Sequence, residues 1–257
     1  MKQVVWIIAS PLFLLLVIGC NKNEISKYQH EYQLHVEDLS FISENGYKDN
    51  FADIDLQATL RYTGVALDCA INGNGFFCYS DSNSTHFLYS RDGALHIDNE
   101  GYLINKDNYY LEPRIQLPLD LSIDRIFVKQ DGSITYIQEE RTLGQIHIYN
   151  RTDDEYVKRG NYFIFESVEE IQDSKIISKT LEMSNYSLRS KLYRMLEILF
   201  LLKSIDSRHS DYYDFRIYLI DELLISFRES KRNMIQVFYR EVEETVKFLS
   251  FQSLKVF

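Results

Sequence analysis

The pattern of hydrophobic and polar positions changes period twice along the chain. From about Thr63 to Phe165, short apolar runs alternate with polar residues and stop at Gly, Asp, Asn or Ser: LDCAI, GFFCYS, HFLYSR, ALHID, YLIN, RIFVKQ, ITYIQ, QIHIYN and YFIFE. Period-two runs bounded by turn formers predict strands. Their close spacing favours an antiparallel all-β domain over a parallel α/β sheet. Asp92-Gly93, Glu100-Gly101 and Asp131-Gly132 read as turns, where Asp tolerates left-handed backbone and Gly supplies positive φ. Beyond Val168 the period becomes helical. Leu188, Leu192, Met195, Leu196 and Leu199 share one face within 179–205, and DSRHSD breaks that run. A second run over 211–250 places Ile217, Ile220, Leu224, Phe227, Ile235, Phe238, Val242, Val246 and Leu249 at helical spacing. Residues 21–60 show no strong period and read as a linker with a short helix near Val36 to Ser43 and a turn at Asn45-Gly46. The expected fold is α+β: a mainly antiparallel β-domain over 61–170, then a C-terminal helical segment over 175–257. Self-packing of the two helical runs is the default; a surface for a partner helix is the alternative.

The N-terminus carries a different signal. MKQVVWIIASPLFLLLVIGC has Lys2, an apolar run from Val4 to Ile18, then Gly19-Cys20. The run is short for a transmembrane helix, which needs roughly 20 apolar residues, and has the layout of a secretory signal. The ending LLVIGC (Leu15 to Cys20) resembles the lipobox of bacterial lipoproteins, in which the cysteine is acylated and becomes the new N-terminus. That resemblance implies a signal peptide over 1–19, lipidation at Cys20, and a lipidated N-terminus and linker over 20–60. An uncleaved anchor helix is the competing reading. Stable anchoring takes more than one acyl chain, so the protein is expected at a membrane, on either the inner or the outer one, facing the periplasm.

Composition narrows the partners. The formal net charge is −10, with no basic patch, which argues against nucleic acid. An acidic protein tethered to an anionic bilayer is pushed outward toward protein partners rather than laid flat on lipid. The 45% apolar and 26% charged content is that of an ordinary globular chain.

Catalytic constellations are not found. His30, His35, His86, His96, His147 and His209 fall singly, without HxH, HxxxH or HExxH spacing, and His96 and His147 read as strand-surface residues. DNEG (98–101) and KQDG (129–132) lack the bidentate Glu of a calcium loop and read as hairpin turns. GNG (73–75) lacks the rest of a dinucleotide fingerprint, and no GxSxG elbow is present. The expectation is therefore no catalytic residue, no cofactor and no metal.

Cys69 and Cys78 remain once Cys20 is assigned to acylation. A hairpin across Asn72 to Gly75 would pair Ile71 with Phe76, Ala70 with Phe77 and Cys69 with Cys78. Antiparallel partners lie ~4.5–5.5 Å apart at Cα, which a disulfide can span. Two readings stay open: a cross-strand disulfide, or two buried free thiols acting as small hydrophobes.

TGVALDCAINGNGFFCYS (Thr63 to Ser80) resembles the TG..LD.AI.G.GFF.V signature of the flagellar rod and hook protein family. YSRDGALHIDNEGYLINKDNYYLEP (Tyr89 to Pro113) is similar to the YTRDGSF..D..G.LV...GY.V.P segment that follows it in that family. IDRIFVKQDGSITYI, then LGQIHIYN with GNYFIFE, and finally LEMSNYSLRSKLYRML resemble its later segments in the right order, from Thr63 to Leu199. The resemblance is strongest to the distal and proximal rod proteins. It implies a rod/hook-type β-domain with Phe76 and Phe77 as core and wall, outside an axial tube built by N- and C-terminal helices. It further implies a structural part of the bacterial flagellum, without enzymatic activity, partnered by rod, ring or hook proteins, and it admits a homo-oligomer.

The chain departs from the family in two places. The NN.AN..T.GFK segment is missing, with FISENGYKDN (Phe41 to Asn50) a degenerate remnant, so the N-terminal helix is expected to be missing or reduced, and the C-terminus runs past the family's expected end. Both put assembly into an axial tube in doubt. The alternative function is a periplasmic or surface lipoprotein whose rod-like β-domain binds an unrelated protein.

Overall fold

The computed structural model describes residues 22–41, 43–81, 86–139, 141–206 and 209–229. The chain divides into two compact units: a β-unit spanning Phe41–Tyr186, and a helical unit made from the chain up to Ser40 together with the chain from Ser187 onward.

The helical unit contains α1 (Lys22–Ser40), α2 (Leu188–Ile205) and α3 (Ser210–Glu229). Where a linker was expected, α1 is a helix of 19 residues, so the expected missing or reduced N-terminal helix is corrected. The buried stripe of α1 is Tyr32, His35, Val36, Asp38 and Leu39, at helical spacing. Two of its five positions are ionisable and one is Tyr, so a count of aliphatic residues cannot see it. Lys191 Nζ lies 2.6 Å from Asp38 Oδ2 with both side chains buried, and Arg194 Nη2 lies 2.8 Å from Glu31 Oε1. Later α1 residues meet earlier α2 residues, so the two helices are antiparallel. Ser187 caps α2 by accepting the Ser190 N–H, and the face Leu188, Leu192, Met195, Ile198, Leu199 and Leu202 is buried. The chain turns after Asp206, and Lys203 pairs with Asp214 across the resulting αα-hairpin. α3 buries Tyr213, Arg216, Ile220 and Leu224. Of the second helical run, residues 230–250 lie outside the described residues.

Among the described residues the β-unit has 16 strands, all paired antiparallel. β1 (Leu60–Tyr62) pairs with β16 (Thr180–Glu182), and β2 (Cys69–Asn72) pairs with β15 (Lys175–Ser178). A seven-stranded sheet runs β12 (Tyr156–Arg159), β13 (Tyr162–Phe165), β4 (Leu88–Ser90), β3 (Phe77–Ser80), β7 (Tyr110–Glu112), β6 (Leu103–Ile104) and β5 (His96–Ile97). β8 (Ile126–Val128), β9 (Ser133–Tyr136) and β10 (Arg141–Gln145) form a three-stranded sheet, and β11 (Ile148–Arg151) pairs with β14 (Val168–Ile171). The mainly antiparallel β-domain followed by helices is thus as expected. The helical period expected after Val168 begins only at Leu188, because 168–182 supplies three strands that return to pair with earlier ones. The β-unit also extends beyond the expected 61–170 at both ends.

The main core joins inward residues of several sheets, among them Leu67, Ile71, Phe77, Tyr79, Leu103, Leu111, Val128, Ile134 and Ile176. Phe76, Tyr89, Phe163 and Phe165 form a second, aromatic cluster; Phe76 lies 5.5 Å from Phe163 and 5.2 Å from Phe165, ring centre to ring centre. Phe76 and Phe77 are both fully buried, each in a different cluster. The turn glycines behave as the pattern suggests at Gly101 and Gly132, with φ of 94° and 87°.

Candidate functional site

Three segments far apart in sequence meet around one carboxylate in the β-unit. Glu182, at the end of β16, is fully buried. Its Oε1 accepts from Lys48 Nζ at 2.6 Å and from the Ala58 N–H at 2.9 Å, and its Oε2 lies 3.3 Å from Arg91 Nη1. Lys48 Nζ also donates to the Leu56 carbonyl at 2.5 Å. Arg91 Nη2 donates to the Gly73 carbonyl at 2.8 Å, and its guanidinium lies 5.4 Å from the Phe76 ring centre. Gly46 N–H donates to the Glu182 carbonyl at 2.7 Å. The strongest effect on Lys48 and on Arg91 is desolvation, which lowers both pKa values; Glu182 opposes that shift at each. The arrangement is a closure, not a reaction centre: both ends of the β-unit and its central turn are tied to a single side chain.

These residues give chemical meaning to motifs visible in the sequence. Arg91 is the Arg of YSRDG and Glu182 the Glu of LEMSN, while Gly46 and Lys48 come from FISENGYKDN. All three stretches stand out in the sequence, but nothing local gives these side chains a joint role. The signal was an Arg and a Glu embedded in otherwise apolar strand patterns, with partners 91 and 134 positions apart.

Asp92, next in the same turn, is also buried. Its Oδ1 accepts the Ala94 N–H at 3.1 Å, and Tyr79 OH donates to its backbone carbonyl at 2.5 Å. Burial pushes the Asp92 carboxyl up from 3.8 to about 6. The folded protein therefore holds a proton that the unfolded chain has released between those values. That contribution to stability is complete below pH 3.8 and is lost as pH rises through about 6. Asp92→Asn keeps an oxygen for Ala94 and removes the titration. Urea unfolding across pH 4–7.5 should show a flatter pH dependence, with the variant more stable than the parent at pH 7.5 by on the order of 2 kcal/mol. An unchanged slope would refute the assignment.

Cys69 and Cys78 are not opposite each other. Cys69 pairs with Ser178 in one sheet, while Cys78 pairs with Tyr89 and Glu112 in another. The hairpin expected across Asn72 to Gly75 is corrected: that stretch is a corner between sheets, with Asn72 opposite Lys175 and Phe76 bridged to Tyr149. Gly73 and Gly75 permit it, at φ of 120° and 98°, where a Cβ would meet Ser174 and Ile148 respectively. Both thiols are free and buried, and burial pushes each up to about 12, which keeps them protonated and unreactive near neutrality. Cys20 lies outside the described residues.

The histidines are dispersed. His147 Nδ1 lies 2.8 Å from Glu170, His209 Nδ1 lies 2.8 Å from Asp206, and His35 Nε2 lies 3.9 Å from Glu31. His96 is exposed on β5, and His30 and His86 are exposed too. Among the described residues no group of three or more His, Cys, Asp or Glu could hold a metal. A cleft of about 240 Å³ lies beside His147, over Ile146, Ile148 and Ile171. Its polar rim is engaged internally, since Gln172 donates to Glu170 at 2.7 Å and Ser174 to the Asn74 carbonyl at 2.7 Å.

Residues 70–136 match the family model described as the flagellar hook protein FlgE/F/G D1 domain. Residues 70–136, within the β-unit, are thus similar to a domain of the flagellar rod and hook proteins. Similar curated proteins include the flagellar basal-body rod protein FlgG of Buchnera aphidicola subsp. Acyrthosiphon pisum, 32% identical over 103 residues, 38% of each chain. FlgG of the Baizongia pistaciae subspecies is 27% identical over 158 residues, 55% of this chain and 59% of its own. The flagellar hook protein FlgE of Escherichia coli is 28% identical over 148 residues, 51% of this chain and 36% of its own. The chain thus spans 36% to 59% of the length of these relatives. The match contains Arg91 and Asp92 but ends well before Glu182, so this buried cluster reaches from the matched segment to Lys48 before it and to Glu182, in β16, after it.

On the β-unit, the three-stranded sheet exposes Phe127 on β8, with Ile123 just before β8 and Ile137 just after β9 also exposed. Apolar residues clustered on an open sheet face are what a protein partner covers. No described helix is long and apolar enough to cross a membrane.

Proposed function

We propose that the protein is a non-enzymatic structural or accessory component of the bacterial flagellar basal body, held at a membrane as a lipoprotein by acylated Cys20. The observation that carries this reading is the D1-domain match over 70–136. The buried cluster is compatible with it, because it ties Lys48, the Arg91 turn and β16 to a single side chain. Partners are other rod, ring or hook components, met through exposed β-domain surface such as that around Phe127. A second copy of the chain is a further partner of this kind. The periplasm-facing location follows from the lipobox-like LLVIGC, since Cys20 would be acylated after export.

Two measurements test the reading separately. Cys20→Ala should abolish incorporation of a labelled fatty acid and move the protein from the membrane pellet to the soluble fraction; persistence in the pellet without label would contradict lipid anchoring. Deletion of the gene should impair motility, and a tagged protein should form foci at basal bodies. Even distribution over the envelope with motility intact would instead indicate a lipoprotein with an unrelated partner.

A further inference from the structure

Among the described residues the seven-stranded sheet ends on β5 at one side and on β12 at the other. An outer strand turns a row of backbone groups outward, which makes it a template for pairing with another chain unless it is short, charged or covered. β5 is two residues long, which protects that end. β12 spans Tyr156–Arg159, and Val157 on it is 55% exposed. Alternation divides its side chains between two faces. Tyr156 and Lys158 belong to the packed face: the Tyr156 ring centre lies 5.5 Å from that of Phe163, and Lys158 Nζ lies 4.2 Å from the Tyr47 ring centre and 3.1 Å from Asn50 Oδ1. Val157 and Arg159 therefore share the outer face, and one more step of the alternation adds Glu155, just before the strand. All three are exposed.

From this pattern we propose that β12 is the contact between two copies of this chain, paired antiparallel about a two-fold axis so that one sheet continues into the other. A two-fold axis between antiparallel strands stands perpendicular to the sheet, so opposed residues come from the same face. Centred on Val157, the register sets Val157 against Val157 of the second copy. Glu155 then opposes Arg159 of the second copy on one side, and Arg159 opposes the second copy's Glu155 on the other. The outer face reads acid, apolar, base in each chain, which is the order a self-complementary contact requires. A register centred on Lys158 would bring two ammonium groups together, and one centred on Tyr156 would set Glu155 against Val157. Basic residues on an outer strand ordinarily discourage pairing; here Arg159 meets a carboxylate supplied by the second copy. Asp154, by contrast, is already paired with Arg151 at 2.8 Å. An unrelated strand would need the same acid–apolar–base order, whereas a second copy carries it by construction. The contact closes on itself, because an isologous pair occupies the same strand on both copies. It depends on neither the lipid anchor nor the flagellar role.

A cysteine at the centre of such a contact faces its own counterpart at ~4.5 Å between Cα atoms, within disulfide reach. Val157→Cys in the full chain, treated with copper–phenanthroline, should give a dimer linked through the two introduced cysteines, located by mass spectrometry. Each pair of thiols passes two electrons to the oxidant and two protons to solvent. Tyr62→Cys, at an exposed position on β1, sets the background together with the parent, whose Cys69 and Cys78 are buried. Adding Arg159→Glu to Val157→Cys puts like charges opposite each other twice and should cut the yield roughly tenfold. Adding Glu155→Arg as well restores the complementarity and should restore the yield, which no loss of folding would do. A yield at position 157 no higher than at position 62, or no recovery on the charge swap, overturns the proposal. Cross-linking of Val157→Cys to a different protein, with no dimer, assigns this edge to another partner and overturns it too.

Discussion

Glu182→Ala should destabilise the β-domain by about 3–5 kcal/mol, the range for removing one partner of a buried ion pair. The charge count explains why this residue is the worst to lose. Glu182 faces two buried cations, Lys48 and Arg91, at 2.6 and 3.3 Å. Removing it leaves both positive charges fully buried without that carboxylate, and also strips an acceptor from the Ala58 N–H. Removing Lys48 instead, as Lys48→Met, leaves a one-to-one pair of Glu182 with Arg91 and should cost markedly less. Arg91 keeps its bond to the Gly73 carbonyl in either case. Urea unfolding followed by near-ultraviolet circular dichroism would measure the order. Equal losses for Glu182→Ala and Lys48→Met would show that the cluster is not governed by its charge balance.

Gly93→Ala should be almost as damaging, at about 3 kcal/mol or more, for a steric reason. A Cβ built on Gly93 would lie 2.0 Å from the Cys69 carbonyl oxygen and 2.7 Å from the Phe77 ring. The backbone atom cannot swing aside as a side-chain tip could, because Cys69 is held by β2–β15 pairing and its N–H donates to the Gly93 carbonyl at 2.9 Å. The cost is close packing and not backbone strain. The expected result is reduced soluble yield and a lowered urea midpoint; Ala tolerated without loss would mean the turn can retreat from β2.

How far the sequence is legible depends on the range of the interaction. The strands from Cys69 to Phe165 show in the sequence because alternation and turn formers are local signals, and Asn, Asp and Gly mark the turns without reference to anything distant. α1 does not show, because its buried stripe contains Tyr32, His35 and Asp38, and two of these meet partners more than 150 residues away, Tyr32 with Arg216 and Asp38 with Lys191. The Cys69–Cys78 hairpin fails for the complementary reason. Its local register is plausible, but Asn72 finds a partner in Lys175 and Phe76 one in Tyr149, so the two strands separate at the glycine corner.

By itself, then, the sequence determines the class of the β-domain, its turns, the apolar face of the first C-terminal helix and, through ordered motifs, a resemblance to the rod and hook family. Those features rest on neighbours within a few residues, where period and turn chemistry act alone. Only the tertiary structure decides that Lys48, Arg91 and Glu182 share one buried site, that both thiols stay apart, and that an N-terminal helix packs on the C-terminal one. Each of these depends on desolvation, which no residue experiences until distant parts of the chain have closed around it.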